Sequence, residues 1–218
     1  DKHGDSRTSS VPRNSARLAL PRPASPRSSA KEIKMSASGR VLKMVAVGDG
    51  FVGKTTLLIT HTTGVFEGDY VPTVFENYAG TMMVDDAEYS YTLWDTAGQE
   101  GFDQCRVLCY SETNVFLVCF AINSPTSFEN VKNIWLPEIR RECGQKISAV
   151  LVGTKSDLRS STPSERVVKK ADGKKLARAL KMHGYVETSA KLQEGCTEAF
   201  EEAIRATVKP PRSVCVVL

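Results

Sequence analysis

The stretch from Val41 to Gly64 constrains this chain most. An apolar run, VLKMVAV at 41–47, leads into Gly48-Asp49-Gly50-Phe51-Val52-Gly53-Lys54-Thr55. A short apolar run closed by glycine predicts a buried strand. Lys54 to Thr63 predicts a helix that Gly64 closes. The glycine loop between them fits two patterns. Gly48, Gly50 and Gly53 satisfy GxGxxG, the dinucleotide fingerprint. The same residues satisfy GxxxxGK followed by Ser or Thr, a phosphate loop. Lys54 and Thr55 separate the two readings. A phosphate loop needs backbone N–H groups that wrap phosphates, a cation that reaches the β- and γ-phosphates, and a hydroxyl for Mg²⁺. A dinucleotide site needs none of these and wants an acid about 20 residues on, at the end of a second strand. Glu67 and Asp69 stand near that distance but inside GVFEGDYVPT, which reads as a loop. Nucleotide phosphate binding by residues 48–55 is therefore expected, against the alternative of a chance glycine-rich turn.

The rest of the chain repeats the strand and helix alternation. Glu76–Val84 and Glu88–Trp94 read as strands joined at Asp85-Asp86, a hairpin. Asn114–Ile122 and Ile147–Gly153 read as buried strands, and Tyr185–Glu187 as a short one. Ser124-Pro125 opens a helix that runs through Phe128, Val131 and Trp135, with a kink expected at Pro137. A further helix is expected around Gly173–His183. The last helix carries Cys196, Ala199, Phe200, Ala203, Ile204 and Thr207 on one stripe. The expected fold class is α/β: a phosphate-loop domain with a six-stranded, mainly parallel sheet and helices on both faces.

Two other segments carry chemistry. Asp95 ends an apolar strand and is followed by Thr96-Ala97-Gly98-Gln99. A carboxylate there can hold Mg²⁺ through water, Gly98 can offer its N–H to a γ-phosphate, and Gln99 can orient an attacking water. Taken alone, Asp95 could equally be a helix cap or a surface charge. Thr154-Lys155-Ser156-Asp157 follows the strand AVLVG. Asp157 there can accept two hydrogen bonds from guanine, an arrangement adenine does not offer, and the stem of Lys155 can lie along the base. Thr188-Ser189-Ala190-Lys191 would close its other edge. Alone, TKSD is a weak signal and reads as a solvated turn.

Together and in this order, these segments closely resemble the Ras superfamily of small GTPases. The resemblance spans about 40–208. Tyr70-Val71-Pro72-Thr73-Val74-Phe75-Glu76-Asn77-Tyr78 resembles the switch I of the Rho/Rac branch, Trp94 to Glu100 its switch II, and TKSD its base motif. The resemblance implies a GTP/GDP-cycling switch with Mg²⁺ as cofactor, slow to hydrolyse GTP alone. It implies nucleotide contacts from Gly48, Asp49, Gly50, Phe51, Val52, Gly53, Lys54, Thr55, Thr56, Phe66, Tyr70, Thr73, Asp95, Gly98, Thr154, Lys155, Asp157, Ser189, Ala190 and Lys191. Thr55, Thr73 and Asp95 are the implied metal residues, the last through water. Gln99, Lys54 and Thr73 are the implied catalytic residues, and Phe66 is to pack edgewise on guanine. The implied partners are an exchange factor, a GTPase-activating protein, effectors such as kinases, and a dissociation inhibitor. A role in the actin cytoskeleton or cell shape follows from the same branch, and the protein is expected to be a monomer. Four features depart from the pattern. Phe51 stands where alanine is usual, and Gly101-Phe102-Asp103-Gln104-Cys105 replaces a more charged switch II. The segment from Asp157 to Gly173 lacks the usual helical insert, and an N-terminal arm is added. Phe51 either points outward harmlessly or strains the loop and speeds GDP release.

Charge divides the chain. The net charge is +4, but residues 1–34 hold eight basic and three acidic side chains, leaving 21 basic and 22 acidic over 35–218. A near-neutral domain argues against nucleic acid as a partner. Residues 1–38 are too rich in Ser, Pro and Arg to fold and are expected to be a disordered extension. A mitochondrial transit peptide is the rival reading, against which four prolines argue, and Met35 is an expected natural start. The G domain is expected over 39–208 and a flexible tail over 209–218. That tail ends Cys215-Val216-Val217-Leu218, a CaaX box whose terminal leucine favours geranylgeranylation of Cys215. With only Lys209 and Arg212 just upstream, reversible residence is expected at the cytoplasmic face of the plasma membrane and in the cytosol. The longest apolar run, Val115–Ile122, is far short of a membrane span. The six cysteines lack metal spacing and read as cytosolic thiols.

Overall fold

The structure, a computed structural model, describes residues 41–66, 68, 75–98, 101 and 103–208, all within one compact unit, Ile33–Leu218. Six strands form one sheet: β1 (Leu42–Val47), β2 (Phe75–Val84), β3 (Ala87–Thr96), β4 (Val115–Ala121), β5 (Ser148–Thr154) and β6 (Tyr185–Glu187). The spatial order is β2-β3-β1-β4-β5-β6. Only the β2–β3 pair is antiparallel. Its turn places Asp85 and Asp86 at φ +48° and +66°, which matches the twist of a two-residue hairpin.

Period-two alternation divides the core. In β1, Leu42, Met44 and Ala46 face α1 (Lys54–Thr63) and α6 (Cys196–Val208), where Leu57, Leu58, Phe200 and Ile204 are buried. Val45 and Val47 face the other layer, which holds Trp135, Ile139 and Ala177. Every residue of β4 is buried, as expected of a central strand covered on both faces. Burying a side chain the size of Phe200 stabilises the fold by roughly 1.5–3 kcal/mol.

Three sequence expectations shift. Asp103–Leu108 is a short helix, α2, that the pattern did not announce, because six residues are too few for a helical period to show. The helix opened by Ser124 does not simply kink at Pro137. It runs as α3 (Pro125–Asn130), widens to a π-helical turn over Val131–Trp135, and continues as α4 (Leu136–Cys143). Pro137 has no N–H to give, and the preceding Leu136 N–H reaches back five residues to Val131 O. The helix expected at Gly173–His183 is α5, Lys170–Ala179. Gly173 lies inside it because a Cβ there would stand 2.3 Å from Cζ of Tyr185, so the ring of β6 occupies that space. Ser156–Arg159 and Ser164–Arg166 form 3-10 turns where the longer insert was missing.

His61 on α1 stacks on Phe200 at 3.8 Å and its Nε2 lies 2.9 Å from the Tyr91 hydroxyl. Burial lowers its pKa from 6.5 to about 4. Protonation of this imidazole therefore opposes folding. Its contribution to stability is complete above about pH 6.5 and is lost as the pH falls from there toward 4. Comparing urea midpoints at pH 7.5 and 5.5, the wild type should lose up to about 1.4 kcal/mol per pH unit of the interval below 6.5. His61→Gln should show a flatter dependence, and equal slopes would mean that His61 does not titrate as described.

Candidate functional site

The carboxyl ends of β1, β3 and β5 open on a cavity of about 350 Å³. One end is lined by Gly50, Phe51, Gly53, Lys54, Thr55 and Thr56, the other by Thr154, Lys155, Asp157, Ala190 and Lys191. Phe66 and Gly98 also line it. The glycine loop and the two later motifs, about a hundred residues apart, thus face one space.

The loop after β1 feeds directly into α1. Gly53, at φ +93°, is the N-cap and offers no side-chain cap, and the first turn carries no acid. The leading N–H groups of α1 and the positive end of its dipole are thereby left to a ligand, the arrangement that binds phosphate. The Lys54 side chain folds back under the loop, where its ammonium donates to Gly48 O at 2.8 Å and Asp49 O at 2.9 Å. Lys54 is 6% exposed. Burial lowers its pKa, and the nearby Asp95 opposes the shift. Phe51 O accepts from the ammonium of Lys155 at 2.6 Å, Val52 O from the hydroxyl of Thr154, and Gly53 O from Leu57 N–H at 3.0 Å.

Gly98 is pressed against this loop. Gly50 N–H donates to Gly98 O at 3.1 Å. A Cβ on Gly98 would lie 2.3 Å from Gly48 O and 2.5 Å from Nζ of Lys54, so no other residue fits. Asp95, fully buried at the end of β3, accepts a hydrogen bond from Thr55 Oγ1. Thr55 lines the cavity and Asp95 lies behind it.

At the far end, Asp157 Oδ1 accepts from Ser189 Oγ at 2.7 Å. Ser189 is buried, so it orients Asp157 from beneath rather than lining the cavity itself. Ser156 N–H donates to Thr188 O at 3.0 Å, joining the two motifs through their backbones. Lys155 sits in the left-handed region at φ +59°, and burial lowers its pKa. Phe66 is 39% exposed at the cavity margin.

Two expected positions take different roles. The side chain of Asp49 is claimed by Trp135 Nε1 at 2.6 Å and Asn130 Nδ2 at 2.7 Å, and Asp49 does not line the cavity. Val52 is 2% exposed and packs in the core. Tyr70, Thr73, Gln99 and Cys215 lie outside the described residues.

Sequence reasoning missed the groups that brace this site. Arg106 on α2 donates through Nε and a terminal nitrogen to both oxygens of Glu138, at 3.0 and 2.8 Å. Its other terminal nitrogen donates to Ala97 O at 3.1 Å. Tyr110 donates to Glu138 at 2.6 Å, and the Arg106 guanidinium lies 4.7 Å from the ring centre of Trp135. The only trace in the sequence was a charged residue within each of two short apolar stretches.

Phe51 is 63% exposed, so its ring points outward, and its backbone sits at φ +62°. That conformation costs any L-residue roughly 1–2 kcal/mol. The strain therefore belongs to having a Cβ at all, and not to the ring. Phe51→Gly should gain roughly 0.5–1 kcal/mol in thermal or urea unfolding after the added chain freedom of glycine is counted. Phe51→Ala should gain nothing, and a gain with Ala equal to that with Gly would place the strain in the ring.

The Ras family model matches residues 43–209. The Ras-like GTP-binding protein RhoL of Drosophila melanogaster is 48% identical over 179 residues, which cover 82% of this chain and 93% of that protein.

Proposed function

This chain belongs to the Ras family, among its Rho-like small GTPases, and we propose that the cavity described above takes guanine nucleotide with Mg²⁺ and reports its γ-phosphate to partner proteins. Such proteins hydrolyse GTP to GDP and phosphate. One observation carries the reading of the site: the phosphate loop with Lys54 and the Asp157–Ser189 pair line or brace a single cavity. A small-molecule phosphoryl transferase would use the first and leave the second without a task.

The residues divide the work. The uncapped start of α1 and the loop N–H groups bind phosphate oxygens, and Lys54 neutralises charge from beneath. Asp157, oriented by Ser189, accepts from guanine, while the Lys155 stem and Phe66 flank the base. The oxygen donors of Thr55 and Asp95, adjacent and hydrogen-bonded, fit a hard cation. Among the described residues no three His, Cys, Asp or Glu side chains gather into a metal cage. Mg²⁺ there would be held by the Thr55 hydroxyl and, through water, by Asp95, with phosphate and Thr73 as further ligands in this reading. When bound, Mg²⁺ supplies charge stabilisation at the transferring phosphate. In this reading Gln99 would orient the attacking water and Gly98 would offer its N–H to the γ-phosphate.

Small GTPases work with regulators and effectors in general. For this chain we include an exchange factor, an activating protein that supplies an arginine, kinase-type effectors, a dissociation inhibitor, and a role in the actin cytoskeleton. A geranylgeranyl group on Cys215 would bring the protein to the cytoplasmic face of the plasma membrane.

Purified protein should retain a labelled GDP that GTP displaces and ATP does not. Asp157→Asn should lose roughly 1.5–3 kcal/mol of guanine affinity, about 10- to 150-fold, because an amide cannot accept both hydrogen bonds. Equal displacement by ATP and GTP would overturn the assignment. With an activating protein present, Gln99→Leu should bind GTP normally and turn over at least about tenfold more slowly. A wild-type rate in that assay would remove Gln99 from the mechanism.

A further inference from the structure

The near-neutral charge of the domain conceals a strong separation. Residues 166–181 hold seven basic side chains and one acidic one, whereas the rest of 35–218 holds fourteen basic and 21 acidic. On α5, Lys170, Lys174 and Arg178 recur every four residues and share an arc of about 80°. Lys181 follows just past the helix end. All four are exposed. None is ion-paired with a described residue, unlike Arg141 with Glu142, Arg159 with Glu187, and Arg205 with Asp85 and Glu201.

Helix stability does not account for this face. Like charges four apart destabilise a helix by a few tenths of a kcal/mol per pair. The helix dipole favours cations only in the last turn, whereas Lys169 stands at the N-cap and Lys170 opens the helix. A solvated face would also be expected to mix signs.

The position of the stripe suggests its partner. His183 N–H, two residues past Lys181, donates to Ala149 O at 2.8 Å. Ser148 Oγ donates to Ala206 O at 3.0 Å, near the end of α6 at Val208. The C-terminal ends of α5 and α6 therefore flank the N-terminal end of β5, at the end of the sheet opposite the nucleotide cavity. Cys215 is seven residues beyond Val208, roughly 25 Å at full extension, and α5 is about 15 Å long. A lipid chain on Cys215 can thus reach the plane of the stripe. A single such chain holds a protein to a membrane only marginally without a second, basic signal, and the tail offers only Lys209 and Arg212.

We propose that the exposed face of α5 is a docking surface for anionic phospholipid headgroups, supplying from the folded domain the basic signal that the tail lacks. This rests on the family reading only for the lipid on Cys215, and the surface itself can be tested without that lipid. The full chain carrying Cys215→Ser, loaded with GDP, is mixed with vesicles of phosphatidylcholine containing about 30% phosphatidylserine, and bound protein is separated by flotation. Binding is expected at about 0.05 M salt and loss at about 0.5 M, with none to phosphatidylcholine alone. Adding Lys170→Gln, Lys174→Gln, Arg178→Gln and Lys181→Gln should lower partitioning about tenfold or more while the melting temperature and bound GDP stay unchanged. In a third variant, with Arg7, Arg13, Arg17, Arg22 and Arg27 each changed to Gln, the N-terminal arm loses its charge and partitioning should fall less than about threefold. Wild-type partitioning of the α5 variant overturns the proposal, as does loss confined to the arm variant. Binding to polyglutamate without binding to the vesicles would assign the face to an acidic protein and also overturn it. Bound nucleotide, measured on the same samples, tests the family reading separately.

Discussion

A loop that turns its N–H groups inward to meet an anion must turn its carbonyls outward, and those carbonyls need partners. For five of the six carbonyls of residues 48–53 the structure supplies them, from three directions. Lys54 takes Gly48 O and Asp49 O, Lys155 takes Phe51 O, Thr154 takes Val52 O, and the first turn of α1 takes Gly53 O. The same Thr154 hydroxyl also donates to Phe120 O on β4 at 3.0 Å. Buried backbone acceptors left without donors cost free energy comparable to a lost hydrogen bond. The loop is therefore preformed through its carbonyls, and its N–H groups, apart from that of Gly50 on Gly98 O, are left for phosphate.

A second set of contacts carries that order to the segment after β3. The carboxylate of Asp49, anchored to Trp135 and Asn130, ties the loop to the widened π-helical turn. The indole of Trp135 lies against Arg106, which holds Glu138 with two nitrogens and Ala97 O with the third. A buried ion pair gains little net stability against an apolar pair of the same size, because both charges lose water. What it confers here is position. Arg106 on α2 thereby fixes α2 to Ala97, the residue before Gly98.

Legibility in the sequence followed the range of the interactions. The strands, α1 and α6 were readable because burial imposes a period on adjacent residues. The cavity residues were readable because phosphate, metal and base chemistry each demand particular residue types at short spacing, as Gly53-Lys54-Thr55 does. The bracing groups were not. Arg106 and Glu138 are 32 residues apart, and Asp49 and Trp135 are 86 apart, so no local pattern records their contact. Helix α2 was too short to show a period. Helix α5 starts three residues before Gly173, and the contact that explains a glycine inside it is with Tyr185, 12 residues on. Charge was read at the scale of the whole domain, which averaged away the contrast on α5.

The two halves of the cavity are also joined to each other. Thr154 and Lys155 belong to the base-binding segment by sequence, yet their side chains hold carbonyls of the phosphate loop. Lys155 can make this reach because its own backbone is in the left-handed region, which turns the chain sharply after β5. Asp157, two residues on, is fixed by Ser189, and Ser156 by Thr188. A ligand that pulls on Asp157 therefore acts on the same short segment that supports Phe51 O and Val52 O. Base and phosphate binding should reinforce each other through this segment, since ordering it once serves both. A nucleotide with the wrong base would then lose more than its own hydrogen bonds, because the support of the phosphate loop would be less well held.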